Sequence, residues 1–324
     1  MNKNGRFSNF IDVQHVFFFE IIIGVTANTF LLLYHVLIFL LEHKPKPTDL
    51  TIGHLSLIHI VMLLIAGFIA IDIFGFQHLG DDTTCKCVIY LYRLMRGLSL
   101  CTTCLLSILQ AITLSPRSSC LTKFKQKSLQ HTLCCFLFLW VFNMLINVRF
   151  LISTVAIPNV TSHDLMVVTQ SCSILSITSF LKYISSSLMV FQYMMFIGLM
   201  ALSSGYMVIL LCQHKRQLQH LHRTKLSPKS SPEKRATQTI LLLMSFFTVM
   251  YVLDSIIEYA SAMLWNHDPI SRCVQMLIGN GYATVSPLVL ISTERRLSAL
   301  YKCRGKHRNF FLLFHRVIPL TMGN

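Results

Sequence analysis

Seven apolar runs, each about as long as a bilayer crossing, constrain this chain more than any other feature. They lie at about Val16–Leu41, Leu50–Phe74, Cys87–Leu114, Thr132–Val155, Tyr183–Cys212, Thr237–Leu264 and Cys273–Ser292. A helix of about 20 apolar residues spans the hydrocarbon core of a membrane. Lipid offers no partner to backbone amides and carbonyls, so such segments must bond internally, as helices do. The expected fold is therefore all-α: a membrane bundle of seven transmembrane helices. The first run follows only fifteen residues. It is longer than a signal-peptide core and has no small-residue cleavage site, so it reads as a retained helix. Charged residues make up 13% of the chain, against about 25% in soluble domains.

The net charge of +15 is sorted by loop. The segments after helices one, three and five, with the tail, hold twenty Lys or Arg; the opposite side holds five. By the positive-inside rule the N-terminus is outside and the C-terminus is cytoplasmic. The organisation expected is an extracellular N-terminus over 1–15, a seven-transmembrane bundle over 16–292 and a basic cytoplasmic tail over 293–324. A basic protein can also bind nucleic acid, but this distribution points to the lipid bilayer as partner and against nucleic acid.

Of the eleven cysteines, Cys101, Cys104, Cys134, Cys135 and Cys212 fall in or at the ends of helices, where a thiol is small apolar filler. The Cys101–Cys104 pair sits on an apolar helix without a partner pair, so it is not read as a metal or redox motif. Cys85, Cys87, Cys172 and Cys273 fall on the expected outer side, where disulfides persist. A Cys85–Cys172 bond would pin the second outer loop over the bundle; Cys87, two residues away, competes for the same partner. The sequon Asn159-Val160-Thr161 lies in that loop and marks Asn159 as an N-glycan acceptor.

No catalytic constellation is present, so no enzyme is expected, and no cofactor. His214, His220 and His222 belong to a solvated basic loop and not to a metal site. Polar groups in helices are more telling, because charge at bilayer depth is expensive and tends to be functional. Arg93 and Arg96 lie three apart on helix three, eight and eleven residues after Cys85, or about 12 and 16 Å along the axis. With Tyr92 they can face the interior. Asp254 and Glu258 lie four apart on helix six, in its outer half. Two readings compete. In one, the arginines pair with Asp254, Glu258 or Asp72 and hold the bundle together. In the other, Tyr92, Arg93, Arg96, Asp254 and Glu258 contact a ligand, and guanidinium would favour an anionic one such as a conjugated steroid.

The motifs narrow the class. GVTANTFLLLYH (Gly24–His35), KPTDLTIGHLSL (Lys46–Leu57) and YLYRLMRGLSLCTTCLLSILQAITLSPRSS (Tyr90–Ser119) resemble the vomeronasal type-1 receptor family. So do WVFNMLIN (Trp140–Asn147), HLHRTKLSPKSSPEKRATQTILLLMS (His220–Ser245) and TVSPLVLIS (Thr284–Ser292). The resemblance implies a rhodopsin-like G protein-coupled receptor for pheromones or related odorants, signalling through an inhibitory-type heterotrimeric G protein at the plasma membrane of sensory neurons. It implies that Cys85 and Cys172 are the disulfide partners, and it aligns Asn28 and Pro287 with the family's helix-one asparagine and helix-seven proline. Helix three lacks the acid-Arg-aromatic triplet of the wider class, as this family does. His59 departs from the asparagine expected at its position, which puts the sodium-type site of helix two in doubt. Lys234 and Arg235, in the basic third inner loop, are candidate G-protein contacts. A bitter-taste-type receptor and a seven-helix transporter or channel are the alternatives.

Overall fold

The computed structural model describes residues 3–41, 46–76, 81–115, 128–156, 165–167, 169, 171–175, 179–221, 241, 245–257 and 269–293. These residues form seven principal helices: α1 (Lys3–Leu41), α2 (Pro47–Ile73), α3 (Asp82–Leu114), α4 (Ser128–Asn147), α5 (Ser179–Leu221), α6 (Ser245–Ile257) and α7 (Pro269–Thr293). A short helical turn, Arg149–Ser153, continues α4. Six of the helices are long and apolar enough to cross a membrane, and α6 is a shorter apolar helix. Several helices outrun their apolar stretches: α1 begins at Lys3 and not near Val16, and α5 runs to Leu221, beyond Cys212.

Local chemistry sets several ends. Pro47 opens α2, where its missing N–H costs nothing because the first helical amides have no partner within the helix. Asp81 caps α3, its carboxylate accepting from the Thr84 amide at 3.4 Å. Pro287 lies inside α7 and has no N–H for the carbonyl four residues back, that of Ala283. Asn28 of α1 fills the gap: its Nδ2 donates to Ala283 O at 2.8 Å and to Gly24 O at 2.7 Å. A Cβ on Gly24 would lie 2.6 Å from Leu63 Cδ1 and 2.7 Å from Thr284 Oγ1, so the close seam of α1, α2 and α7 needs glycine there.

The core runs through α2, α3, α6 and α7, with Met62, Leu63, Leu98, Phe247, Tyr251 and Tyr282 fully enclosed. Large apolar side chains on the outward faces remain exposed: Phe19 and Leu33 on α1, Leu137 and Leu145 on α4, Phe191 and Leu202 on α5. An exposed apolar belt of this extent suits lipid and not water.

At one end of the bundle the segment between α4 and α5 forms a small antiparallel sheet of β1 (Thr154–Ala156), β2 (Leu165–Val167) and β3 (Cys172–Leu175), in the order β1-β3-β2. Ala156 pairs with Cys172, and Cys172 is disulfide-bonded to Cys85 with Cα atoms 5.6 Å apart. Cys87 is a free, exposed thiol. Two carboxylates add to this anchor. Asp72, at the end of α2, accepts from Ser171 Oγ at 2.6 Å and from the Ser171 amide at 3.2 Å. Asp82 accepts from the Ala156 amide at 2.6 Å.

Candidate functional site

The polar interior is built on α3. Tyr92, Arg96, Ser99, Thr103, Ser107 and Gln110 recur every three or four residues and are all buried, one helical stripe turned inward. Arg96 forms an ion pair with Asp254 of α6, both side chains almost fully enclosed. Asp254 also lies close to α7: a Cβ on Gly279 would be 2.9 Å from its Oδ1. Glycine at that position therefore admits the carboxylate between α6 and α7. Tyr92 donates to Asn280 Oδ1 of α7 at 3.1 Å. Arg96 and Tyr92 thus join α3 to α6 and α7 in the half of the bundle nearer the disulfide.

Arg93 does not share that partner. Its guanidinium lies 5.2 Å from the centre of the Phe150 ring, and that of Arg149 lies 4.5 Å from the same ring. The two cations gather on the α3–α4 side, each in cation–π range. Asp72 supports the loop through Ser171. Glu258, Asn159, Lys234 and Arg235 lie outside the described residues.

Below the ion pair sits an aromatic and hydroxyl layer. His59 Nε2 is 2.7 Å from Ser99 Oγ, and Tyr251 donates to the same oxygen at 3.2 Å. The Tyr251 and Tyr282 rings are 4.5 Å apart, with Tyr282 donating to Met62 Sδ at 3.4 Å. His59 therefore replaces the expected amide with a ring that hydrogen-bonds across to α3 and meets Tyr282 edge-on.

A second polar cluster ties α3, α4 and α5. Gln192 donates to Asn143 Oδ1 at 3.1 Å, and Asn143 Nδ2 donates to Leu139 O at 2.8 Å. Gly97 leaves room for the Asn143 amide. Between α2 and α4, Trp140 Nε1 donates to His54 Nε2 at 3.0 Å. Indole is a donor only, so in the neutral ring Nδ1 carries the proton and faces Thr102 Oγ1 at 3.5 Å. These contacts fix the helices around the site without lining it.

The family model for the vomeronasal organ pheromone receptor family matches residues 11–303. The chain belongs to the vomeronasal type-1 receptor family. It is 54% identical over 292 residues to vomeronasal type-1 receptor 90 of Rattus norvegicus, covering 90% of this chain and 94% of the relative. It is 52% identical over 306 residues to vomeronasal type-1 receptor 43 of Mus musculus, covering 94% and 93%. Receptor 51 of the same species is 51% identical over 297 residues, covering 92% and 93%. Family membership and the apolar helices make this a multi-pass membrane receptor, not an enzyme or a transporter.

Site residues that the sequence left unmarked are Asn280, Ser99, Tyr251 and Tyr282. Their signal was present but diluted. Asn280 stands between two glycines in Gly279-Asn280-Gly281, and Ser99 continues the α3 stripe one turn past Arg96.

Proposed function

We propose that this protein is a chemosensory G protein-coupled receptor that binds a small pheromone or odorant in the disulfide half of its bundle. The observation that carries the reading is the buried Arg96–Asp254 pair joining α3 to α6, in a chain of this receptor family. A ligand that contacts Tyr92, Arg96, Asp254 or Asn280 touches the groups that join α3, α6 and α7. If it binds one arrangement of these helices better than another, it shifts the population toward that arrangement. Arg93 and Glu258 are further candidate contacts.

The charge distribution supports an N-terminus outside and a C-terminus in the cytoplasm. The disulfide, the three-stranded sheet and a glycan on Asn159 then face outward, and the loop with Lys234 and Arg235 faces an inhibitory-type heterotrimeric G protein. The site of action is the plasma membrane of sensory neurons. The test is a panel of volatile and steroidal small molecules applied to cells carrying the receptor and a G-protein activation reporter. Ligand-dependent activation, absent from untransfected cells, is expected. Solute flux without reporter activation refutes the reading.

A further inference from the structure

Asn280 of α7 stands apart from the other buried asparagines. In Asn28, Asn143 and Asn147, Nδ2 donates to the carbonyl four residues back, that of Gly24, Leu139 and Asn143 respectively. Asn280 is 1% exposed, yet its Nδ2 donates to nothing. The cause lies across the gap between helices. Tyr92 of α3 donates to Asn280 Oδ1 at 3.1 Å, which holds the amide toward α3 and off its own backbone.

The side chains along α7 offer no replacement. Gly279 and Gly281 flank Asn280 without side chains, and Met276, one turn before, ends in a thioether. Thr284, one turn after, gives its hydroxyl to the Glu20 carbonyl at 3.4 Å. A buried donor without an acceptor carries its full desolvation cost, and such groups are rare in folded proteins. An acceptor brought from outside the protein would remove that cost.

The donor belongs to the cluster that joins α3, α6 and α7. Tyr92, which holds Asn280, is one turn from Arg96 on α3. Asp254, the partner of Arg96, comes within 2.9 Å of where a Cβ on Gly279 would stand, and Gly279 is the residue before Asn280. Charge then selects the guest. Arg96 and Asp254 match one another, and Arg93 and Arg149 lie over Phe150 on the α3–α4 side. For Arg96 to match a carboxylate or sulfate beside Asn280, it would have to leave Asp254 as a lone buried acid. An ammonium has no lone pair to accept from Nδ2. A neutral oxygen fits without disturbing the pair.

Building on the receptor reading, we propose that Asn280 is the specificity residue of the ligand site, its Nδ2 donating to an oxygen of an uncharged ligand while the Arg96–Asp254 pair stays closed. The ligand class is a neutral ketone, ester or ether with an apolar body. No covalent bond is made or broken. A site built to hydrogen-bond one group rejects an analogue that lacks it, because the site's own polar atom is then left unpaired.

The experiment uses the full-length receptor in lipid discs and four probes on each of the cyclohexyl, phenyl and 2-naphthyl skeletons. These are the methyl ketone, the ethyl hydrocarbon, the 1-aminoethyl cation and the carboxylate. Binding is read from thermal unfolding, at free concentrations corrected for partition into empty discs, and coupling from nucleotide exchange on an inhibitory heterotrimer. Ketones should bind about tenfold or more tighter than the other three probes of their skeleton. Asn280→Leu should bring ketone and hydrocarbon to parity, and Asn280→Ser, which keeps a donor, should retain part of the preference. The comparison among probes in the unaltered receptor stands even if a variant fails to fold. Parity of ketone and hydrocarbon in the parent leaves Nδ2 to water and overturns the proposal. Carboxylates or amines binding as tightly as ketones, no stabilisation by any ketone at millimolar concentration, or an unchanged ketone preference in folded Asn280→Leu also overturns it. Nucleotide exchange no higher than in empty discs, with the ketone preference intact in binding, refutes the receptor reading alone.

Discussion

Arg96 shows how a full charge is carried inside an apolar bundle: its partner Asp254 reaches it because Gly279 leaves room for the carboxylate. Removing one member of a buried pair leaves the other uncompensated, which costs about 3–5 kcal/mol. Arg96→Gln and Asp254→Asn should each lower surface expression and unfolding temperature. The double variant, with no lone charge, should recover most of both. Surface immunolabelling and thermal unfolding of purified protein check this; a double variant no better than either single one sinks the pair as a structural unit. The sequence marked Arg96 as costly and named Asp254 among three acids that might meet it. It could not choose among them, because the choice depends on how α3 and α6 are rotated about their own axes. Asp72, one of the three, is held instead by Ser171. Arg93, on the same face by spacing, turns toward Phe150. One helical face is wide enough for two long side chains to find different neighbours.

Among the elements, the apolar runs located all seven helices but misjudged their lengths. Hydropathy reports the thickness of lipid crossed, whereas a helix continues into water as long as its backbone bonds do. Hence α1 starts at Lys3 and α5 reaches Leu221. Pro287 and Asn28 were each legible as motif residues. Their connection was not: the proline leaves the Ala283 carbonyl free and the asparagine, 255 residues away, occupies it. The β-sheet between α4 and α5 was also hidden, since its strands are only three or four residues long and fall below any pattern length. Asp72 ties that sheet to α2 through two hydrogen bonds from Ser171. Bonds to a charged acceptor are worth about 1.5–3 kcal/mol each. Asp72→Ala should lower the unfolding temperature of the receptor with its disulfide intact, and Asp72→Asn, which keeps an acceptor, should lower it less. Equal unfolding temperatures for Asp72→Ala and the parent would show that the disulfide and Asp82 hold the loop without Asp72.

At the scale of the whole molecule, the two ends of the bundle differ in kind. One carries the disulfide and the sheet; by the expected topology the sequon belongs to that side and twenty basic residues to the loops and tail of the other. If the first end faces outward, Asn159 meets the glycosylation machinery, and glycosidase should speed the migration of receptor from mammalian cells. Asn159→Gln should already migrate at the faster position; an unglycosylated parent counts against the glycan. The opposite end must then meet the G protein, and positive charge there steers a partner of opposite charge and sets its register. Rim charges of this sort act mainly on encounter, so their removal weakens coupling without unfolding the bundle. Lys234→Gln with Arg235→Gln should leave surface expression unchanged and lower the maximal G-protein response at saturating ligand. Ligand affinity should fall only slightly: ligand and G protein raise each other's affinity by one common factor, so a receptor that holds the G protein less often loses only part of that gain. Raising ionic strength in a reconstituted exchange assay should slow the parent more than the variant, since screening removes what the substitutions have already removed. An unchanged response and the same salt dependence in the two proteins would exclude Lys234 and Arg235 from the docking surface, and leave coupling to the remaining basic residues of that loop.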